Sequence, residues 1–434
     1  MDVTGSRRIR QDSSRRKSRR WPSPAFALCF LAVCVWLFVF RIGGDSLDPA
    51  TEAEPEPEAE QPPVVYIPPP ETPSPSVALI EETPEDTVAW PPAVKVKGLH
   101  VAAWYAARED RIAEYIELCE TTEVNTLVID VKDDHGRITF LTDTQSISEA
   151  AMYIIPDIEE TLTRLKSHGI YTIARIVCFR DPFWSSRYPQ LAITNITGEP
   201  WVDGTGFTWL NPYNRDAWEH IAAASLEAVR VGFEEIQLDY VRFPTDGRLS
   251  DIDYGEAADE MSRAEVINEF VEYMRGILAS EGVRLSADVF GIIAISNRDA
   301  EVIGQDLGLL LHSADAISPM IYPSHFANKR QNGTGQYING VLFEAPDLEP
   351  YDVVYNILAA LSRHLPEDGE HAIIRPYLQE FTASYLGEGF FIPYTPLEVA
   401  AQIQAVYDAG FDEWILWNHF SVYNPDSFEI THDE

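Results

Sequence analysis

A chain of 434 residues, 45% hydrophobic and 23% charged, is long enough for one large barrel with insertions or for two to three average domains. Its formal net charge of -37 argues against a nucleic-acid partner, because an acidic surface repels phosphates. Four cysteines without CxxC or metal-ligand spacing read as small thiols and give no sign of a disulfide framework.

The charge is divided along the chain. Residues 1–44 carry +7, residues 45–92 carry -12 with no Lys or Arg, and the remainder carries -32. Residues 1–20 form a basic segment, and residues 21–42 contain an almost purely apolar run from Trp21 to Phe40, about the length of one bilayer span. Basic residues stay on the cytoplasmic side, so the expected arrangement is a single-pass cell-membrane anchor, N-terminus inside and the rest extracytoplasmic. A cleaved signal peptide is the alternative, but bulky Trp36, Leu37, Phe38, Val39 and Phe40 leave no small-x-small cleavage site. Residues 43–92 (EAEPEPEAEQPP, then IPPPETPSPS) hold too few apolar groups to offset ordering entropy and predict a disordered, extended Pro/Glu-rich linker.

From residue 93 to about 430, short β-branched runs alternate with amphipathic stretches, the pattern of parallel βα units. Eight runs predict strands: 98–104, 126–132, 171–179, 235–243, 284–291, 316–323, 371–381 and 413–419. Helices are expected over 108–122, 158–168, 217–231, 264–281 and 397–409, several ending at a glycine that leads into the next strand, as in SHGIYTI and AGFDEWIL. Eight such units predict an α/β fold, a closed (β/α)8 TIM barrel, with a doubly wound open sheet as the alternative. The long inserts 182–211, 245–259 and 324–348 all follow strands and so fall on the face where βα loops build a site.

Polar residues crowd the predicted strand ends. Asp130 closes the second strand, Arg175 the third, Asp239 and Arg242 the fourth, Asp288 the fifth and Glu380 the seventh. Two carboxyl groups facing one bond are what glycoside hydrolysis requires, one to protonate the leaving oxygen and one to attack or to activate water. Asp239 and Asp288 are the simplest pair, with Glu380 as the rival acid. Arg175 is the guanidinium expected to pair with Asp239, or else a structural bridge, and Arg242 either an ion pair between barrel and helix or a substrate clamp. Aromatic faces suit sugar rings; Trp104, Tyr105, Trp184, Trp209, Tyr322, Tyr377 and Trp417 sit at or just after strand ends, with Asn418 beside the last. Neutral or basic glycans fit the acidic charge best. Asp133, Asp134 and His135 could be read as metal ligands, but adjacent residues on an extended chain seldom converge, so no metal or other cofactor is expected. The DIDYGE run at 251–256 reads as a solvated acidic loop.

The segments GLHVAAW, NTLVIDVKDDHG, FTWLNPYNRDAW, EIQLDYVRFPTDG, ISPMIYPSHF and ILWNHF together resemble a bacterial family of putative glycoside hydrolases whose function is not established. The resemblance spans about residues 95–425. It implies a TIM barrel akin to the amylase and chitinase groups and a retaining layout with Asp239 as nucleophile, and it sets Tyr322 and Trp417 in the cleft. Two departures stand out. The fourth strand lacks the Asp-x-x-Asp-x-Asp-x-Glu series of chitinases, and Asp288 stands where amylase-like enzymes carry a glutamate. The expectation is therefore a retaining glycosidase acting on an extracellular or cell-envelope polysaccharide. The alternatives are a non-catalytic glycan-binding protein and, behind it, a metal-dependent polysaccharide deacetylase.

Overall fold

The computed structural model describes residues 94–367 and 369–428. The basic segment, the anchor and the linker expected before residue 93 lie outside them. Among the described residues no helix is long and apolar enough to cross a membrane.

The eight staves are β1 (Lys97–Val101), β2 (Thr126–Lys132), β3 (Tyr171–Val177), β4 (Glu235–Asp239), β5 (Arg284–Phe290), β6 (Ala316–Ile321), β7 and β8 (Trp414–Trp417). β7 is two pieces, Ile373–Ile374 and Tyr377–Gln379. All pair in parallel, and β8 returns to pair with β1, so the sheet closes. Closure leaves no unpaired edge, which decides for the barrel over the open sheet. Helices α1 (Glu109–Thr121), α2 (Ile158–Ser167), α3 (Arg215–Val231), α4 (Arg263–Ser280), α5 (Leu307–Ser313), α6 (Pro350–Leu361) and α7 (Pro396–Asp408) follow the first seven staves. Their apolar sides, for example Leu162, Ile221, Phe270 and Ile357, pack on the outward side chains of the strands in one continuous core. Ser262 and Glu265 form a capping box that starts α4, and Thr395 with Glu398 does the same for α7.

Two strand predictions run too long for identifiable reasons. β4 stops at Asp239 because Tyr240 turns into the left-handed region at φ 50°, which breaks the extended ladder. β7 lapses at Arg375 and Pro376, although its register to β6 is the same on both sides of the gap. That register sets Pro376 opposite Pro319, and neither residue can donate to the ladder. α5 and α6 supply the helices that the βα pattern requires after β5 and β6, where the sequence set no bounds. The predicted inserts do follow β3, β4 and β6, and the first two are joined by an antiparallel bridge of Thr194–Asn195 with Ile252–Asp253, which takes up the DIDYGE run. Cys119 and Cys178 are free thiols.

The barrel interior is layered. At its N-terminal end Arg375 donates to Glu413 Oε2 (2.8 Å) and Glu235 Oε1 (2.6 Å), and Tyr171 donates to Glu235 Oε2 (3.2 Å). The middle layer combines Val128, Ile173 and Ile415 with a Tyr377–Gln237–Ser318 chain of hydrogen bonds. The layer at the C-terminal mouth is almost wholly polar. Arg375→Ala would leave two buried carboxylates without their cation, so it should destabilise the barrel by about 3–5 kcal/mol in urea denaturation, whereas an exposed pair such as Lys95 and Asp412 should contribute under ~1 kcal/mol.

Candidate active site

The mouth is organised by one guanidinium. Arg175, on β3, points Nε and Nη2 at Asp239 Oδ2 (2.9 and 2.5 Å) and Nη1 at Asp130 Oδ1 (2.8 Å), so it joins the ends of β2 and β4. His100 Nε2 lies 3.0 Å from the same Asp130 oxygen and extends the network to β1. Burial alone would raise the Asp130 carboxyl, but His100 and Arg175 outweigh it and hold that carboxyl well below the ordinary range. Asp239 Oδ1 accepts from the Tyr240 backbone N–H at 2.6 Å, a contact made by the left-handed turn at Tyr240. A tyrosine in that region costs of order 1–3 kcal/mol, and such strain gathers where geometry serves a site.

Asp288 is the neighbour of Asp239. β4 and β5 pair residue for residue from Glu235–Arg284 to Leu238–Ala287, so the next two residues stand level on adjacent staves, about 5 Å apart at Cα. Asp288 Oδ1 is buried without a hydrogen-bond partner. Burial first, and the charge of Asp239 second, push the Asp288 carboxyl well above the usual range. Two carboxyls side by side, one bound by a guanidinium and the other buried beside that charge so that its acid form is favoured, match the division of roles general acid catalysis uses.

Glu380, just past β7, stands on the far side of the mouth. Burial pushes it up to about 8, and its one hydrogen bond is from the Asn424 backbone N–H (3.3 Å). Asn418 donates to the Glu380 carbonyl oxygen and accepts from Phe420 N–H, so it shapes this loop and has little left for a ligand. Trp417 is half-buried, stacks on His100 at 6.0 Å and meets Phe381 and Tyr322 nearby, forming an aromatic wall. Trp104 is 64% exposed on the short helix Ala103–Ala106 after β1, and half-buried Tyr105 lies under Arg111.

Other expected contacts are placed elsewhere. Trp184 and Trp209 are each 1% exposed, Trp184 stacking on His220 and Trp209 donating Nε1–H to Asp203. Tyr377 lies below the mouth with its hydroxyl on Gln237. None of the three offers a free ring face. The metal reading of residues 133–135 finds no geometric support. Asp133 accepts from the backbone of His135 and Arg137, His135 packs edge-on against Phe207, and Asp134 faces Arg175 and Arg180 (3.7 Å each). Among the described residues no group of three potential ligands converges. The sequence reading passed over His100, Arg180 and the Lys132–Asp181 ion pair (2.6 Å) that ties β2 to the loop after β3. His100 was open to detection, as a polar residue at an inward position of an otherwise apolar strand. Gly136 carries the same tie, because a Cβ there would sit 2.0 Å from Asp181 Oδ1.

A closed parallel (β/α)8 barrel with two aspartates level at its C-terminal mouth, one of them bound by a guanidinium, has the layout of a glycosidase-type barrel. The chain belongs to the family described as "Putative glycosyl hydrolase domain", whose profile matches residues 98–423. A hypothetical protein from Ruminiclostridium thermocellum ATCC 27405 is 37% identical over 45% of this chain and 99% of its own, with a TM-score of 0.41. The glycoside hydrolase domain of PgaB (BpsB) from Bordetella bronchiseptica superposes with a TM-score of 0.55 over 76% of this chain and 95% of its own, at 14% identity, a likeness of fold. Alpha-L-fucosidase isoenzyme 2 from Paenibacillus thiaminolyticus gives 0.49 at 14% identity over 77% and 48%. No curated protein matches the chain.

Glu380 also yields a stability prediction. Its folded pKa lies above the unfolded carboxylate value, so its contribution is present at low pH and is lost as pH rises through about 8. The parent should therefore lose Tm between about pH 5 and pH 8, and Glu380→Gln should flatten that decline, read by thermal denaturation across the range.

Proposed function

We propose that the protein is a retaining glycosidase in which Asp239 attacks and Asp288 moves the proton. The observation that supports it most directly is the buried Asp288 carboxyl, without a partner on Oδ1, level with an Asp239 that Arg175 orients. In the first step an Asp239 oxygen bonds to the anomeric carbon as the glycosidic C–O bond breaks, and the Asp288 acid transfers its proton to the departing oxygen. In the second, Asp288, now a carboxylate, takes a proton from water whose oxygen attacks the anomeric carbon, and the Asp239 ester bond breaks. The half-buried Trp417 and Phe381 suit stacking on a pyranose, whereas Tyr322, expected as a platform, is buried and packs against both rings.

The substrate class follows from exposure and placement. The long inserts 182–211, 245–259 and 324–348 follow β3, β4 and β6 and so stand at the C-terminal face, where loops can flank an extended polysaccharide, and the anchor and acidic linker expected before residue 93 would hold the barrel outside the membrane, close to envelope glycans. A glycan-binding protein without turnover would use the same aromatic wall.

Asp239→Asn should lower kcat/KM on the hydrolysed polysaccharide by on the order of 10³-fold or more. Equal turnover by variant and parent across a polysaccharide panel would end the assignment. Oligosaccharide binding that Trp417→Ala abolishes, with no hydrolysis of any glycan, would establish the binding role instead. The pH profile separates the two acids. Activity requires a protonated acid, so kcat/KM should fall on the alkaline side as the proton leaves. That limb should persist in Glu380→Gln and vanish in Asp288→Asn, and the reverse pattern would move the acid to Glu380.

A further inference from the structure

Four arginines are buried among the described residues, and three have their charge answered. Arg175 binds Asp130 and Asp239, Arg375 binds Glu235 and Glu413, and Arg180 lies within 4 Å of both Asp134 and Asp203. Arg242, two residues beyond the Tyr240 turn, is the exception. It is 6% exposed, and its hydrogen bond is from Nη1 to the carbonyl oxygen of the adjacent Phe243 (2.9 Å). Among the described residues no carboxylate forms an ion pair with it. The guanidinium instead lies among three rings, with centroids at 5.1 Å for Trp209, 4.9 Å for Tyr240 and 4.7 Å for Phe290.

A buried cation without an anion is costly, several kcal/mol even after relaxation, and ring faces repay only part of it. Burial lowers the Arg242 pKa from its ordinary value, while the other three are raised. The fields of Asp246 and Asp239 reach it, but among the described residues neither carboxylate makes an ion pair with it. The backbone holds the arginine in place from both sides. Gln305 donates to the Val241 carbonyl oxygen, and Phe243 N–H donates to that of Ile303. Trp209, the largest ring of the three, is itself held by Asp203.

Resting on the glycosidase reading above, we propose that Arg242 is the recognition site for a carboxylate carried by the sugar next to the scissile bond, so that the substrate is a uronate-containing glycan. The position is consistent with that role. Arg242 follows Asp239 by three residues, and Phe290, against which it packs, follows Asp288 by two, so the guanidinium lies between the ends of the two staves that bear the reacting carboxyls. Its planar fork suits a carboxylate better than a point charge would. The acidic surface does not oppose this, because long-range repulsion is screened by salt and a contact in a buried site is not.

The test is calorimetric titration of the full-length Asp239→Asn chain, which blocks turnover, with oligogalacturonate and hyaluronan hexasaccharides against neutral cello- and chito-hexasaccharides. An acidic probe should bind at least about tenfold more tightly than the neutral ones, and Arg242→Met should remove that preference. Arg242→Met should also raise Tm in the absence of ligand, since it deletes an unanswered charge and keeps an apolar stem. Where that variant fails to fold, Arg242→Lys carries the test, and its preference should fall about tenfold because the fork is lost. No acidic preference in the parent, or a preference unchanged by either substitution, overturns the proposal. Hydrolysis of a neutral glycan with no acidic preference would remove this inference and leave the glycosidase standing, whereas Arg242-dependent binding without turnover of any glycan would do the opposite.

Discussion

The mouth of this barrel depends on Arg175. A single guanidinium in the middle of the polar layer takes Asp130 on one side and Asp239 on the other, and through Asp130 it reaches His100 and the ring of Trp417. Removing it would leave two buried carboxylates without their cation, so the same side chain ties β2, β3 and β4 together and orients Asp239. A buried charge network of this kind is poor evidence for stability, because desolvation offsets much of the attraction. Its value here is orientation. Asp239 is held on one oxygen by Arg175 and on the other by the Tyr240 N–H, which gives it a defined direction at the barrel opening.

The contrast between Asp239 and Asp288 follows from what surrounds each at the same level of the barrel. One has a guanidinium and a backbone donor, while the other has neither on Oδ1. Burial then favours the neutral form of Asp288, and the charge next to it adds to that preference. The short side chain that departs from the glutamate of amylase-like enzymes thus sits in a setting that favours its protonated form, the form the proposed acid role needs. Arg242 shows the converse economy, a positive charge kept beside the site without its own counter-ion.

Much of the scaffold was legible in the sequence. Thr126–Lys132 is a strand to the residue as expected, because a continuous β-branched run with no glycine or proline admits one reading, and the glycine-to-strand signals placed most helix ends within two residues. The strand ends were harder to place. Nothing in LDYVRF shows that Tyr240 takes a positive φ, since that conformation is imposed by packing and by the donor it turns toward Asp239. Aromatic residues near strand ends also divide in a way that position alone cannot reveal. Trp417 lines the mouth, while Trp209 and Tyr377 are enclosed by the polar groups they serve. The pairing of Arg175 with Asp239 was expected as that of a cation and a carboxylate near the ends of adjacent strands, although Arg175 stands level with Gln237 and reaches along the barrel to Asp239, whereas the lack of any carboxylate on Arg242 could be seen only once the chain was folded.

The central claim is that Asp288 is a proton donor at neutral pH beside an Asp239 committed to Arg175. Infrared difference spectroscopy of the intact protein at pH 7 tests it without a substrate, since a protonated carboxyl has its own carbonyl stretch. The account predicts such a band that disappears in Asp288→Asn and persists in Glu380→Gln. A spectrum unchanged by Asp288→Asn, with the band assigned wholly to Glu380, would contradict it.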